Sequence, residues 1–167
     1  EAYDQLAEIA KRKKDLTLAK SYLNEASKRS PNSLLRQKAL AESSLQCGAT
    51  EEGFEAFRKV IKLSDQSIYA DTSHFYEFAD QLTKIAATNS ESEQTHNRLK
   101  KEAFELLQKA KKRFSDRPQI GVQTQLMEAG LHANLGENEE AEKILGEVNE
   151  SISSKGDSLT PESTIVA

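Results

Sequence analysis

The chain has 167 residues, of which 30% are charged and 6% aromatic, and its formal net charge at pH 7 is -4. This acidic balance argues against nucleic acid as a partner, because phosphate binding needs a basic surface. The single cysteine, Cys47, excludes an intramolecular disulfide and favours a reducing, cytoplasmic setting. No apolar run approaches the roughly 20 residues of a membrane span, so we expect no membrane partner.

The first predicted unit occupies about residues 1–33 and contains two helices. A stripe at helical spacing marks its first helix, and it consists of Tyr3, Leu6, Ala7 and Ala10. Lys14-Asp15 predicts a turn, and the second helix then carries Ala19, Leu23 and Ala26. Pro31 is suited to closing the unit.

The second predicted unit, about residues 34–67, repeats this order 34 residues later. Ala19, Leu23 and Ala26 correspond to Gly53, Phe57 and Val60. The first helix of the unit carries Leu40, Ala41 and Ser44. Gly48 predicts the tight turn, with Thr50 as the expected N-cap of the next helix.

The third predicted unit, about residues 72–117, is longer than the others. Its two stripes consist of Phe75, Phe78, Ala79 and Leu82, and of Ala103, Leu107 and Ala110. Gly53 and Ala103 are 50 residues apart, so 16 residues have been added to one repeat. About four of them fall in 67–70 and twelve around Ala87–Glu93, which predicts a longer second helix after a polar turn. A mobile loop is the alternative.

The fourth predicted unit, about residues 118–152, follows Arg117-Pro118. Its first helix is expected to bury Leu126, Ala129 and Ala133, and its second helix Ala141, Leu145 and Val148. Residues 153–167 are polar, contain Pro161 and lack helical periodicity. They predict a disordered tail.

These stripes resemble the tetratricopeptide repeat family. That family alternates large and small residues on a first helix, places a small, a large and a small residue on the second, and often ends with proline. This chain departs from the pattern at Gln37, where a large apolar residue is usual, and at Gly53, where alanine is usual. The resemblance implies an all-α fold, an α-solenoid of about four antiparallel helix-turn-helix repeats in a right-handed superhelical stack.

The resemblance also implies a concave surface, lined by the first helix of each unit, that binds a protein or peptide partner. Side chains beside the packed stripes are expected there. They are Asp4, Glu8, Lys11, Arg12, Lys38, Glu42, Leu45, Tyr76, Asp80 and Lys84. Family members that clamp an acidic carboxy-terminal peptide use lysine and asparagine in several of these places, whereas this set is acidic or mixed. A solvated face without a partner is the alternative.

Catalytic patterns are missing from the sequence. The three histidines, His74, His96 and His132, lie far apart and show no metal-ligand spacing. Neither a glycine-rich phosphate loop nor a nucleophile elbow is present. Basic residues cluster at 98–101 and 109–113 without interleaved aromatic side chains, so RNA binding is not expected. We therefore predict a protein that is not an enzyme and holds no cofactor.

One local resemblance suggests a biological setting. Residues 30–40 and 57–63, within a similar stretch of about 15–80, resemble the tetratricopeptide output region of bacterial response regulators. The resemblance implies a receiver domain before the repeats. The only methionine is Met127, so we expect the chain to be a piece of a longer protein, which fits that implication. Two alternatives remain open: an assembly factor of a pilus or secretion system, and a structural or dimerisation module with homo-oligomerisation.

Overall fold

The computed structural model describes residues 1–67, 72–88, 92–117 and 119–156. These residues form eight α-helices and no β-strand. In chain order the helices are α1 (Ala2–Arg12), α2 (Leu16–Arg29), α3 (Leu34–Gln46), α4 (Thr50–Asp65), α5 (Ser73–Thr88), α6 (Glu93–Arg113), α7 (Ile120–Asn134) and α8 (Asn138–Gly156).

Consecutive helices pack as hairpins, which we number as repeats 1 to 4. Helix α1 packs on α2, α3 on α4, and α7 on α8, while α2 also contacts α3 and α6 contacts α7. In repeat 3 the rings of Phe75 and Phe114 meet edge to face at 5.9 Å. The helices fall into two compact units, Glu1–His74 and Phe75–Ala167. The all-α architecture of helical hairpins is thus confirmed, whereas the handedness of the stack stays a prediction.

The turn within a repeat has the same backbone form in repeats 1, 2 and 4. The residue with positive φ is Lys14 (61°), Gly48 (74°) or Gly136 (76°). The residue after it donates its amide hydrogen to the carbonyl oxygen five positions back, with N···O distances of 2.9–3.0 Å. A left-handed residue of this kind ends a helix and satisfies its last carbonyl groups. These three residues therefore mark equivalent positions in their repeats.

The predicted small and large residues form most of the core. Ala7, Ala41, Ala79 and Ala129 bring first helices close to their neighbours, and each is almost fully buried. The buried large side chains of the amino-terminal unit include Leu23, Leu40, Phe54, Phe57, Val60 and Ile61, and those of the carboxy-terminal unit include Phe75, Phe78, Leu82, Leu99, Leu107 and Leu131. Full burial of one such side chain contributes about 1.5–3 kcal/mol.

Two leucines that the pattern assigns to the core are exposed, Leu6 on α1 and Leu145 on α8. Their equivalents one or more repeats away, Leu40 and Leu23, are buried. Helix α3, which carries Leu40, packs against α2 of the preceding repeat. The prediction is wrong at Leu6 and Leu145 because coverage of a helix flank depends on a neighbouring repeat and not on the helix itself.

The predicted stripe of α7 is only partly correct. Ala129 is buried, but Leu126 and Ala133 are exposed. The buried side of α7 carries a polar residue, Thr124, whose hydroxyl donates to the carbonyl oxygen of Ile120 at 2.7 Å. Because this bond satisfies the hydroxyl, Thr124 is buried at low cost, and a search for apolar residues alone misses the true stripe.

Gln37 departs from the family pattern for a structural reason. Its side chain is buried, and Nε2 donates to the carbonyl oxygen of Pro31 at 3.1 Å. The side-chain amide thus holds the connection between α2 and α3. A large apolar side chain at this position could not donate a hydrogen bond to the Pro31 carbonyl oxygen. The polar departure therefore joins repeats 1 and 2.

Helix ends follow the predicted turns closely. Asp15 caps α2, since its Oδ1 accepts the amide hydrogen of Leu18 at 3.0 Å. Thr50 is the first residue of α4, and Ala49 occupies the N-cap position where we expected Thr50. The long second helix of repeat 3 is confirmed, while residues 68–71 and 89–91 of the insertions lie outside the described residues. Helix α8 runs four residues into the expected tail, and residues 157–167 also lie outside the described residues.

Candidate partner-binding surface

A depression runs along the outer side of α1. It has a volume of about 500 Å3 and is lined by Asp4, Gln5, Glu8, Ile9 and Arg12. Helical spacing places these residues on the side of α1 opposite the buried Ala7 and Ala10. The structure thus brings together three of the four side chains that we predicted on α1, and it adds Gln5 and Ile9, which the sequence reading missed.

Asp4 also belongs to the contact between repeats 1 and 2. Arg36 on α3 holds its carboxylate with two parallel bonds, Nε–Oδ1 at 3.1 Å and Nη2–Oδ2 at 2.7 Å. The hydrogen bond from Arg36 is the largest cause that lowers the pKa of Asp4, and burial opposes it. A forked pair of this kind fixes both side chains, so Asp4 is a rigid member of the surface.

Two pairs of predicted charges form along a single helix, one pair on α1 and one on α3. Lys11 Nζ lies 3.2 Å from Glu8 Oε1, and Lys38 Nζ lies 3.7 Å from Glu42 Oε1. Such pairs on an exposed helix face stabilise by only about 0.3–0.5 kcal/mol. A bound partner can therefore replace them at little cost. Leu45, in contrast, packs over Gly53 between α3 and α4, so it holds the hairpin together.

The predicted residues of the carboxy-terminal unit behave differently from one another. Tyr76 is only 8% exposed, and its Oη lies 3.2 Å from Oγ1 of Thr124 on α7. The structure places Tyr76 in the core and not on the open face where we expected it. Asp80 is accessible, and its carboxylate accepts from Lys84 at 2.7 Å and from Asn134 at 3.0 Å. Asp80 and Lys84 thus lie beside a residue that the sequence reading missed.

Asn134 joins the first helices of repeats 3 and 4. Its Nδ2 donates to Asp80 Oδ1 at 3.0 Å and to Thr83 Oγ1 at 3.1 Å. Thr83 is buried and donates in turn to backbone carbonyls of α5. The sequence gives no signal for this cluster, because Asp80 and Asn134 are 54 residues apart.

A charged cluster lies at the turn between α7 and α8. The carboxylate of Glu137 lies 2.7 Å from Nδ1 of His132. It also accepts a hydrogen bond from the ammonium group of Lys100 on α6. The hydrogen bond from Lys100 is the largest cause that lowers the pKa of Glu137; burial opposes this, and His132 adds to it. The ring of Phe104 lies 4.8 Å from that of His132. This cluster ties repeat 3 to repeat 4, and the sequence reading missed it.

The cluster opens onto a second depression of about 650 Å3. Its lining includes His132 and Glu137, together with Glu139 and Glu140 from the first turn of α8. Their carboxylates complement the positive end of the helix dipole. The arrangement serves the packing of repeats 3 and 4.

Metal and membrane features were sought across the described ranges. Within residues 1–67, 72–88, 92–117 and 119–156, no group of three or more His, Cys, Asp or Glu side chains could hold a metal ion. None of the helices in these ranges is both long and apolar enough to cross a bilayer. The thiol of Cys47 is free and partly buried at the end of α3.

Comparison with protein families finds a match at the amino-terminal repeat. The family model of the tetratricopeptide repeat matches residues 1–33, which are the two helices of repeat 1 and the turn that follows them. No curated protein matches the chain. Tetratricopeptide repeats in general mediate interactions between proteins.

Proposed function

Because residues 1–33 form a tetratricopeptide repeat, we propose that this chain is a scaffold that binds a partner protein. The partner presents an extended peptide or a helix to the side chains on the first helices of the repeats. The observation that carries this proposal is the depression along α1, where Asp4, Glu8, Ile9 and Arg12 converge on one side of a helix whose other side is core.

The side chains of this depression define the chemistry of the ligand. Asp4 is held by Arg36, so Glu8 and Arg12 are the charges that a ligand can engage directly. Ile9 is about half exposed and supplies an apolar contact between them. A peptide with one large apolar residue, and with a basic and an acidic residue on either side, matches this lining. An acidic carboxy-terminal tail does not, because it would meet Asp4 and Glu8.

We place this scaffold in the cytoplasm of a bacterium, in two-component signalling. Support comes from residues 30–40 and 57–63, which resemble the repeat region of response regulators. The alternative setting is the assembly of a pilus or secretion system. Capture from a bacterial lysate discriminates the two: a histidine kinase or regulator on the repeats supports signalling, and a pilus or secretion component contradicts it.

The binding surface is tested with a displayed library of random peptides selected on the purified chain. The test variant is the double substitution Glu8→Lys and Glu42→Lys, which reverses charge on α1 and α3 and leaves Asp80, a partner of Asn134, in place. The matched control is Glu25→Lys with Glu55→Lys, which makes the same change in net charge on α2 and α4.

We expect peptides selected on the native chain to lose at least tenfold in affinity for the test variant and to bind the control unchanged. Circular dichroism should report equal helix content in all three proteins. Equal loss in both variants would reflect net charge alone, and undiminished binding to the test variant would place the binding surface elsewhere.

A further inference from the structure

Helix α6 ends in a concentrated basic surface. Residues 109–117 contain five Lys and Arg against one Asp, although the formal net charge of the whole chain is -4. All five cations are exposed. We call this set the basic end of α6, and it consists of Lys109, Lys111, Lys112, Arg113 and Arg117. Its charge is opposite in sign to that of the chain as a whole.

The helix dipole accounts for only part of this charge. The carbonyl end of a helix attracts cations, but the effect falls off within the last turn. The last turn of α6 contains Lys111, Lys112 and Arg113. Lys109 lies before that turn, and Arg117 lies beyond the end of the helix. Two of the five cations therefore need another explanation.

Pairing within the helix does not account for the charge either. Elsewhere a lysine pairs with a glutamate one turn earlier, as Lys28 does with Glu25 at 2.8 Å. One turn before Lys112 the chain carries Gln108 and Lys109 instead. Among the described residues Lys112 makes no ion pair. Like charges three residues apart, such as Lys109 and Lys112, destabilise a helix, so this arrangement does not serve the helix itself.

Two buried rings hold three of the cations in place. The guanidinium carbons of Arg113 and Arg117 lie 5.4 and 4.4 Å from the ring centroid of Phe114. Nζ of Lys109 lies 5.9 Å from the ring centroid of Phe75. A cation over the face of an aromatic ring is attracted to it. Side chains held in this way lose less conformational freedom when they meet an anion than mobile side chains do.

The surroundings of the basic end indicate which class of anionic partner fits. Single-stranded nucleic acid stacks its bases on accessible aromatic rings, but Phe75 and Phe114 are 0% and 2% exposed. A membrane-binding basic helix needs an apolar face beside its charges. In the described part of the chain, none of the exposed large apolar side chains lies between residues 93 and 117. An acidic protein segment needs neither feature, because complementary charge is sufficient to attract it.

The spacing of the cations sets the pattern of the ligand. Helical spacing places Lys109, Lys112 and Arg113 on one face. Lys109 and Arg113 are about 6 Å apart along the helix axis, and two residues of an extended chain span about 6.4–6.8 Å. Alternate side chains of an extended chain point to the same side. An extended segment with an acidic residue at every second position therefore matches the basic end.

We propose that the basic end of α6 is a second docking surface, which binds an extended acidic segment of a partner protein. This goes beyond the function proposed for the depression on α1, because the two surfaces belong to different compact units. Their ligands also differ, since an acidic segment would meet Asp4 and Glu8 at the depression. Separate probes address the two surfaces, so failure of either proposal leaves the other standing.

The probe is a labelled peptide of repeated Glu-Ser dipeptides, and fluorescence anisotropy measures its affinity for the chain. The test variant is Lys112→Glu. The matched control is Lys59→Glu, which makes the same change in charge at an exposed position of α4. Lys109→Gln is the second variant, should circular dichroism show that Lys112→Glu is unfolded. The comparison ligands are a Gln-Ser peptide of equal length, a single-stranded oligonucleotide and phosphatidylserine vesicles.

We expect the native chain and Lys59→Glu to bind the Glu-Ser peptide equally. Lys112→Glu should bind it about tenfold more weakly, because an attractive contact becomes repulsive. The Gln-Ser peptide should not bind, and added salt should weaken binding of the Glu-Ser peptide several-fold.

Three results would overturn the proposal: a native chain that does not bind the Glu-Ser peptide, equal affinity in the native chain and Lys112→Glu, and equal loss in Lys112→Glu and Lys59→Glu. Tighter binding of the oligonucleotide or of the vesicles than of the peptide would also overturn it, and would assign the basic end to nucleic acid or to a membrane surface.

Discussion

Leu45 occupies the space that a side chain at residue 53 would need. A Cβ on Gly53 would lie 2.6 Å from Cδ2 of Leu45 and 3.2 Å from the carbonyl oxygen of Ala41. The first contact involves a side chain, but the second involves backbone, which yields less readily. The departure from alanine at this position thus compensates for the large residue at position 45.

Replacing Gly53 with alanine should therefore destabilise the protein by about 1–3 kcal/mol, although alanine favours helix by about 1 kcal/mol. Urea unfolding measures the change. Gly146→Ala is the control, because nothing lies within 4 Å of its Cβ position, and it should raise stability. The double variant Leu45→Ala, Gly53→Ala should lose less than the sum of the two single changes, and strict additivity would contradict the packing argument.

Lys14 is a non-glycine residue at φ 61°. The left-handed conformation strains such a residue by roughly 1–2 kcal/mol, while glycine loses more chain entropy on folding. We expect Lys14→Gly to stabilise the protein by about 0.5–1 kcal/mol, seen as a higher thermal midpoint. Lys14→Ala retains the strain and should give no such gain, so equal gains from both substitutions would show that removal of the lysine charge is responsible.

The cluster of Lys100, His132 and Glu137 should make stability depend on acid pH. The pKa of Glu137 is lower in the folded protein than in the unfolded chain, where it is about 4.3. Its contribution is therefore fully present above that pH and is lost as pH falls through the folded-state value.

At pH 7 we expect Glu137→Gln to reduce the free energy of unfolding by about 0.5–1 kcal/mol, the range for a partly exposed pair. The difference between the two proteins should shrink as the pH is lowered below about 4.3. Urea unfolding at several pH values provides the measurement, and a difference that is constant down to pH 2 would contradict the role of the carboxylate. Glu142→Gln, an exposed neighbour on α8, is the control.

The bond between Tyr76 and Thr124 should stabilise the contact of α5 with α7. Tyr76→Phe removes the phenolic hydroxyl and leaves the ring in the core, so it should cost about 0.5–1.5 kcal/mol. Combined with Thr124→Val, it forms a double-mutant cycle whose coupling energy isolates this bond. A coupling energy of zero would mean that the two oxygens lie close without stabilising each other.

Several residues around the depression on α1 were predictable from the sequence, and the wrong or missed predictions elsewhere have a common cause. Asp4, Glu8 and Arg12 were found because helical spacing alone puts them opposite Ala7 and Ala10. Tyr76 was misplaced because its burial depends on α7, which lies about one repeat further along the chain. The contact between Lys100 and Glu137 was not predicted for the same reason. The two residues are 37 positions apart, and no local sequence pattern indicates that they meet.

The sequence by itself determined the helices, their turns and the inward side of most helices, with α7 as the exception. Alanines at fixed spacing and the turn at Gly48 act over one or two helical turns, and such short-range effects can be read from neighbouring residues. Only the tertiary structure decided which flank of a helix is covered. Leu6 and Leu40 occupy the same place in the pattern, yet one is exposed and the other is buried. Whether the flank of a helix is buried depends on the repeat that packs against it. The local sequence of the helix therefore does not determine the burial of that flank.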